Sequence, residues 1–311
     1  MRVRVGTRGS QLALTQTRWV IAALQAQHPD VEFEEVLIRT TGDADRTTPL
    51  HQQGGVGLFT KALEQALLDD VADVAVHSLK DLPTQLPTGL ALAAVPQREE
   101  PWDVWISDRY PDLLDLPSGA KVATGSLRRQ AQILHRCPHV DVIGIRGNID
   151  TRIDTYRELG ADALILAAAG LRRLGRESVA RGTFTATEMT PAPGQGALGI
   201  EVRAEDDDVA AVVGVLDDVP TRAAVTAERR LLQLLEGGCH MPVGAYARVT
   251  DDNLTLLGML ADESGARMLQ LGVEGTVDGA AAAADELAAK LRKAGGDAII
   301  ATFHNEPGAA C

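Results

Sequence analysis

Two segments of the sequence contain side chains whose types and spacing could perform covalent or acid–base chemistry. Asp81 follows Lys80 at the end of a predicted strand, where a carboxylate could transfer protons or stabilise a cationic intermediate, or serve only as a turn or N-cap residue. Cys239 follows Gly237 and Gly238. A thiol on such a loop is accessible as a nucleophile or attachment point, although a single cysteine is more often buried and structural. Asp81 and Cys239 are therefore the candidate reactive groups.

Other reactive arrangements are weak or missing from the sequence. His240 adjoins Cys239, but adjacent residues rarely face each other, which argues against a Cys–His pair. The metal-ligand spacings HExxH and paired CxxC do not occur. The glycine-rich segment 54–61 lacks the Gly-Lys-Ser/Thr ending of a phosphate loop, and no GxGxxG follows a strand. We therefore expect neither a metal nor a dinucleotide.

Cationic and small polar residues follow nearly every predicted strand, where ligands bind in open α/β sheets. A cation near a helix N-terminus opposes the helix dipole by roughly 0.3–1 kcal/mol. One such arginine could be a surface residue paired with a nearby acid, but the repetition favours a binding role. Amides and guanidinium groups there bind carboxylates or phosphates, and their spread over two lobes suits a ligand with many carboxylates. The segments are Thr7–Ser10, His77–Asp81, Gly125–Arg129, Arg146–Asn148 with Arg152, and Gly170–Arg173.

The composition limits the compartment and the partners. The chain has 311 residues, enough for two or three domains, and a net charge of −13, which opposes binding to nucleic acid and to anionic membranes. Its three cysteines form no disulfide framework. The N-terminus has no signal-peptide pattern, and no apolar run approaches the roughly 18 residues of a membrane span. We expect a cytoplasmic protein with reduced thiols.

Apolar runs that alternate with helical patterns predict two successive βαβ series, and hence two doubly wound α/β lobes. The predicted strands are Arg2–Val5, Val31–Ile38, Ala72–Val76, Leu90–Val95, Val104–Ser107, Ala120–Thr124, Val140–Ile145 and Ala163–Ala168. The predicted helices are Gln11–Gln27, Leu58–Leu68, Leu127–Arg136 and Ile149–Leu159.

The pattern changes after a segment rich in proline and glycine, Thr190–Gly199, which we interpret as a crossing between the lobes. Beyond it we predict a small α+β domain. Its elements are a helix Ala223–Leu235, strands Gly244–Val249, Leu254–Ala261 and Met268–Glu274, a helix Ala280–Lys293, and a last strand Ala298–Phe303. The predicted domains are residues 1–96 with 197–215, residues 100–192, and residues 219–311.

Eight segments, in order along nearly the whole chain, resemble the motifs of porphobilinogen deaminases (hydroxymethylbilane synthases). HSLKDLP and EGGC are the most specific of them. The segments are Thr7–Ser10, His77–Pro83, Thr124–Gln130, Arg146–Arg152, Ala168–Gly175, Pro193–Glu201, Thr226–Arg229 and Glu236–Pro242. The resemblance implies two lobes similar to a type II periplasmic binding protein, a third domain that carries the cofactor, and a monomeric transferase.

The resemblance also implies the reaction and the site. Such an enzyme polymerises four porphobilinogen molecules head to tail on a dipyrromethane primer, releasing ammonia and hydroxymethylbilane. It implies attachment of dipyrromethane at Cys239 and a catalytic role for Asp81. The implied cofactor-binding residues are Ser78, Lys80, Thr124, Ser126, Arg128, Arg129, Arg146 and Gly147. The implied substrate-binding residues are Arg8, Ser10, Arg146, Asn148, Arg152, Arg173 and Gln195.

One departure from the family pattern concerns the segment Gly42–Gly57, which resembles a mobile lid. Gln52 and Val56 stand where some members carry lysines, so salt bridges from the lid to substrate are in question. Two other functions stay open from the residues alone. One is a two-lobed protein that binds an organic anion without catalysis, and the other is a thiol hydrolase that uses Cys239 and a histidine.

Overall fold

The computed structural model of the chain describes residues 1–38, 60–235 and 241–304. The chain divides into two compact units. The first comprises Met1–Glu99 and Gly196–Arg222, and the second comprises Glu100–Gln195 and Ala223–Cys311. Each unit is therefore assembled from two separate stretches of the chain.

The helices and strands of the described residues alternate through most of the chain. The strands are β1 (Arg2–Thr7), β2 (Glu32–Leu37), β3 (Val74–Ser78), β4 (Leu90–Ala94), β5 (Asp103–Ile106), β6 (Lys121–Ala123), β7 (Asp141–Ile143), β8 (Ala163–Ala167), β9 (Gly182–Thr183), β10 (Leu198–Arg203), β11 (Val243–Thr250), β12 (Asn253–Ala261) and β13 (Met268–Thr276). The helices are α1 (Gln11–Gln27), α2 (Lys61–Leu68), α3 (Leu127–Arg136), α4 (Ile149–Glu158), α5 (Ala168–Arg173), α6 (Asp207–Gly214), α7 (Val219–Leu234), α8 (Ala280–Leu291) and α9 (Asp297–His304).

The first unit is built on a five-stranded sheet with the order β2-β1-β3-β10-β4. Strand β1 pairs in parallel with β2 and β3, whereas β10 runs antiparallel to β3 and β4. Val74, Ala75 and Val76 of β3 are all buried, as expected for a strand covered on both faces. The carboxyl ends of β1 and β3 therefore meet at one edge of the sheet.

The second unit repeats this arrangement in a sheet with the order β7-β6-β8-β5-β9. Strand β6 is parallel to β7 and β8, and β5 is antiparallel to β8 and β9. In each sheet one strand runs antiparallel to both of its neighbours: β10 between β3 and β4, and β5 between β8 and β9. These two sheets confirm the predicted α/β class with two doubly wound lobes.

A smaller antiparallel sheet, β11-β12-β13, also lies within the second unit. Its core combines β-sheet residues with one face each of α7 and α8, including Ala227, Leu231 and Leu287. This part of the chain confirms the predicted α+β character. Helix α7 begins four residues before the predicted start, because the Asp218 carboxylate accepts a hydrogen bond from the Thr221 amide at 2.9 Å.

The predicted last strand, Ala298–Phe303, is wrong. These residues belong to α9, which follows a break after α8 where Gly295 has a φ of 107°. A short apolar run is consistent with a buried strand or a buried helix, and only packing distinguishes them. Here Ile299 and Ile300 are buried against the small sheet from the helix.

No helix among residues 1–38, 60–235 and 241–304 is long and apolar enough to cross a bilayer.

Candidate functional site

The carboxyl end of β3 carries three of the predicted site residues. Ser78 ends the strand, and Lys80 and Asp81 lie in a single 3-10 turn that follows it. The turn is anchored by Leu79, which is fully buried and whose amide donates to the Ala197 carbonyl at 3.0 Å. The side chains of Lys80 and Asp81 are exposed. The fold thus presents a carboxylate and an ammonium group at a rigid strand end.

The end of β1 lies beside this turn, because β1 and β3 are adjacent and parallel. Arg8 follows β1 and is half-buried. Ser10 caps α1, since its hydroxyl accepts the Ala13 amide at 3.3 Å. Gln16 of α1 donates from Nε2 to the Ser78 hydroxyl at 2.9 Å. The first unit therefore brings Arg8 and Ser10 to the same edge as Ser78.

A buried histidine–glutamate pair lies one residue before Ser78. His77 Nε2 is 3.0 Å from Glu201 Oε2 on β10, and both side chains are almost completely buried. Glu64 of α2 is also buried. Its burial raises the pKa of its carboxyl group, as does the like charge of Glu201, although a hydrogen bond with Thr60 acts in the opposite direction. Apart from the histidine of the HSLKDLP motif, no sequence pattern indicates this cluster, because its members are distant along the chain.

In the second unit, the end of β6 forms a tight turn into α3. The Thr124 hydroxyl accepts the Ser126 amide at 3.2 Å, and the Ser126 hydroxyl accepts the Arg129 amide at 3.5 Å as the helix cap. A Cβ at Gly125 would lie 2.6 Å from the Ile145 carbonyl oxygen. Glycine is therefore required for the close approach of this turn to the chain that follows β7.

Arg128 and Arg129 converge on a single carboxylate, Asp103, which lies outside the predicted site residues. Asp103 Oδ2 lies 2.7 Å from Arg128 Nη1, and Asp103 Oδ1 lies 2.7 Å from Arg129 Nη2 and 3.1 Å from Arg129 Nε. Arg128 Nη1 also donates to the Thr190 carbonyl at 2.6 Å, and Arg129 Nη1 to the Ile165 carbonyl at 3.1 Å. The two arginines are thus held by β5, β8 and the segment after β9.

This triad is deeply buried, with Asp103 fully inaccessible and each arginine 5% exposed. Burial alone would raise the pKa of Asp103, but Arg128 and Arg129 outweigh it and hold that pKa well below its usual range. Burial lowers the pKa of Arg128, partly offset by Asp103. Gln195, a predicted substrate ligand, is also buried, and its Nε2 donates to Asp103 Oδ1 at 2.9 Å.

Arg128 has donors left for a ligand. Its Nε and Nη2 groups bond to no residue in the described part of the chain, whereas three nitrogens of Arg129 are engaged. A signal for the missed Asp103 did exist. It is an acid that directly precedes the apolar run Val104–Ser107, and a carboxylate in such a buried strand requires a cationic partner.

The end of β7 exposes a second group of predicted residues. Arg146 and Asn148 are exposed, and the Asn148 Oδ1 caps α4 by accepting the Thr151 amide at 2.8 Å. Gly147 has a φ of 101°, and a Cβ there would lie 2.7 Å from Thr151 Cγ2. Arg152 Nε donates to the Gly147 carbonyl at 2.8 Å. The loop is therefore fixed by its own helix.

The end of β8 carries Arg173, which is half-buried in the last turn of α5. Since β6, β7 and β8 are parallel, their carboxyl ends share one edge of the sheet. The second unit therefore gathers the predicted residues that follow these three strands. They are Thr124, Ser126, Arg128, Arg129, Arg146, Gly147, Asn148, Arg152 and Arg173.

Two predictions fall outside the described residues. They are the attachment of a cofactor at Cys239 and the lid at Gly42–Gly57 with its substitutions at Gln52 and Val56.

Fold and site define an α/β protein with two doubly wound lobes, each of which presents cationic and small polar side chains at the carboxyl ends of its parallel strands. Residues 3–211 match the family model "Porphobilinogen deaminase, dipyromethane cofactor binding domain", and residues 222–293 match "Porphobilinogen deaminase, C-terminal domain". The chain belongs to the porphobilinogen deaminase family, and its activity is that of a transferase of this family.

Curated relatives match almost end to end. The chain is 48% identical to the porphobilinogen deaminase of Desulforudis audaxviator (strain MP104C) and 44% identical to that of Syntrophus aciditrophicus (strain SB). Each alignment covers 96% of this chain and 97% of the relative. Among solved structures, the methionine binding protein MetQ is similar with a TM-score of 0.45 and 9% identity, over 69% of this chain and 89% of that chain.

Proposed function

We propose that the chain carries dipyrromethane on Cys239 and uses Asp81 to join four porphobilinogen molecules head to tail. The observation that supports this most strongly is the repeated placement of cations at the carboxyl ends of parallel strands in both units. Because the net charge of −13 repels anions, a ligand with many carboxylates needs such cationic clusters to hold it. The assignment of Cys239 rests on its EGGC motif, since this residue lies outside the described residues.

The residues of the second unit fit a group that bears several carboxylates. Arg128 has unused donors at Nε and Nη2, and Arg146 is exposed. Gly147 has no side chain, so a ligand can approach its backbone closely. A guanidinium group binds an acetate or a propionate through two parallel N–H bonds. We assign to dipyrromethane the residues Ser78, Lys80, Thr124, Ser126, Arg128, Arg129, Arg146 and Gly147.

We assign the substrate carboxylates to a partly overlapping set of half-buried or exposed side chains. Its members are Arg8, Ser10, Arg146, Asn148, Arg152 and Arg173. Gln195 acts differently, because its buried amide holds Asp103 and thereby the two arginines. The site has more cationic groups than one pyrrole needs. This suits a polypyrrole product that gains one acetate and one propionate at each step.

Asp81 stabilises positive charge on the reacting pyrrole. Loss of ammonia from porphobilinogen leaves an electron-poor ring, and a carboxylate held on a rigid turn lowers the energy of that cation. The same carboxylate accepts the ring α-proton after the carbon–carbon bond has formed. When bound, dipyrromethane supplies the nucleophilic carbon to which the first substrate is joined.

We further propose a cytoplasmic monomer of three domains with the boundaries 1–96 with 197–215, 100–192, and 219–311. The three separate sheets support this division. A reducing compartment suits a chain whose Cys137 is a buried free thiol and whose function needs a free thiol at Cys239.

Intact-mass spectrometry with a pyrrole colour reagent tests the proposal. The wild-type protein should carry the added mass of two pyrrole units, and Cys239→Ser should lack it. Cys311→Ser is the control, since it removes another cysteine and should retain the adduct. A wild-type chain without adduct would instead match a non-catalytic anion-binding protein or a thiol hydrolase.

A further inference from the structure

Helix α7 leads directly into the segment that contains Cys239. It begins at an Asp218 cap and ends at Leu234, five residues before the cysteine. Ala227 and Leu231 lie in the core beneath the small sheet. Helix α7 is therefore the last element described before the segment that carries Cys239.

Glu228 is an unexpected residue on the buried part of α7. Its side chain is completely inaccessible, yet it is a carboxylate. Oε2 accepts the Gly194 amide at 2.7 Å, and Oε1 accepts the Ala247 amide of β11 at 2.8 Å. Burying a carboxylate is costly unless it is hydrogen-bonded, and the two amide bonds offset that cost here. The two amides thus fix α7 to a particular turn and a particular strand.

The turn that Glu228 holds leads to the arginine triad. Gly194 has a φ of 74°, which favours glycine. The next residue, Gln195, donates from Nε2 to Asp103 Oδ1 at 2.9 Å and to the Pro101 carbonyl at 2.6 Å. A continuous path of short hydrogen bonds therefore runs from α7 through this turn to Asp103.

A second path within the same unit joins β11 to Arg128. The Ala245 amide of β11 donates to the Pro191 carbonyl at 2.9 Å, and a Cβ at Gly244 would lie 2.9 Å from Thr190. The Thr190 carbonyl accepts from Arg128 Nη1 at 2.6 Å. Glu228 anchors strand β11 through Ala247, and β11 is therefore linked through Pro191 and Thr190 to Arg128 of helix α3.

We infer that Glu228 is a positioning residue that fixes the helix leading to Cys239 against the turn that supports Asp103, Arg128 and Arg129. The inference rests on the proposed function, in which that cysteine carries dipyrromethane and those arginines bind its carboxylates. Attachment requires the thiol and the cations to be held together, and Glu228 supplies the link between their supporting elements. Its role is exerted through backbone amides and needs no contact with substrate.

The test measures how fast dipyrromethane is attached to apo-protein made without porphobilinogen and then mixed with it. Glu228→Gln retains the volume but turns an N–H₂ group toward one of the two amide donors, which breaks that bond. Loss of a residue that orients metal ligands typically costs about 10–100-fold in affinity or activity, and we take the lower end of that range for Glu228. We expect the covalent mass to appear at least about 10-fold more slowly. Ala227→Gly is the matched control, because it weakens α7 while leaving both bonds of Glu228 intact.

A double-mutant cycle with Gln195→Met distinguishes positioning from a general loss of stability. If both residues act along one path, the double variant should load no more slowly than the slower single variant. Wild-type loading by Glu228→Gln, an equal slowing by Ala227→Gly, or multiplied effects in the cycle would overturn the inference. If Glu228→Gln is insoluble, Gln195→Met alone must load about 10-fold more slowly, and wild-type loading overturns the inference. Failure of the wild-type chain to gain a dipyrrole mass would refute the proposed function instead.

Discussion

Replacing Asp103 with asparagine should destabilise the second unit strongly. The change removes the only negative charge within hydrogen-bonding distance of Arg128 and Arg129 among the described residues, and it leaves the side-chain volume almost unchanged. Both arginine residues are only 5% exposed, so little water can reach the position of the lost carboxylate. Each arginine would then face the like charge of the other, which already lowers the pKa of Arg128 in the wild-type protein.

The size of the effect follows from this burial. Removing one partner of a buried ion pair costs about 3–5 kcal/mol, because the remaining charge is left uncompensated. Asp103 contacts two arginines and the side-chain amide of Gln195, so we expect the free energy of unfolding to fall by an amount toward the upper end of that range. Asp108→Asn is the matched control. Asp108 pairs with Arg157 at an exposed position, where such a pair is worth about 0–1 kcal/mol.

Urea denaturation followed by tryptophan fluorescence is a suitable assay. Trp105 is buried in β5, two residues after Asp103, so its contribution to the emission changes when this sheet unfolds. The midpoint for Asp103→Asn should fall far below that of the control, with a similar slope. A loss of less than about 1 kcal/mol would mean that the arginines do not depend on Asp103, and it would refute this account of the triad.

Three further outcomes are expected. Asp81→Asn should retain the covalent adduct while turnover nearly disappears, and normal steady-state rates would exclude Asp81 from catalysis. Gly125→Ala should cost about 1–3 kcal/mol in thermal unfolding because its methyl group would lie 2.6 Å from the Ile145 carbonyl, whereas Gly144→Ala, with open space around it, should not. Asp73 is buried, which opposes its ionisation, but hydrogen bonds from two arginines lower its pKa to about 2 from 3.8. It should therefore contribute roughly 2 kcal/mol near neutral pH. That stability is lost as the pH falls from about 4 to about 2, and equal acid unfolding of wild type and Asp73→Asn would contradict it.

The local elements were largely predictable because their signals are local. Eight strands of the two lobes are short apolar runs bounded by glycine and polar residues, and their predicted bounds differ from the observed ones by at most two residues. Strands β9 and β10 were not predicted. Helices α1 and α3 begin where Ser10 and Ser126 supply side-chain caps, and both match the predicted ranges. The last element was predicted as a strand because the apolar run Ala298–Phe303 is too short to show a helical spacing of its apolar residues. It forms α9 after a break in the helical backbone at Gly295.

The sequence by itself determined the α/β class, the placement of cations after parallel strands, and the identity of the family. These properties follow from residue types at fixed spacing, which need no knowledge of distant contacts. Only the tertiary structure decided which groups meet: Asp103 with Arg128 and Arg129, His77 with Glu201, and Glu228 with the Gly194 turn. Those partners lie between 25 and 124 residues apart along the chain, and a buried charge is stabilised by whichever partner the fold brings within about 3 Å.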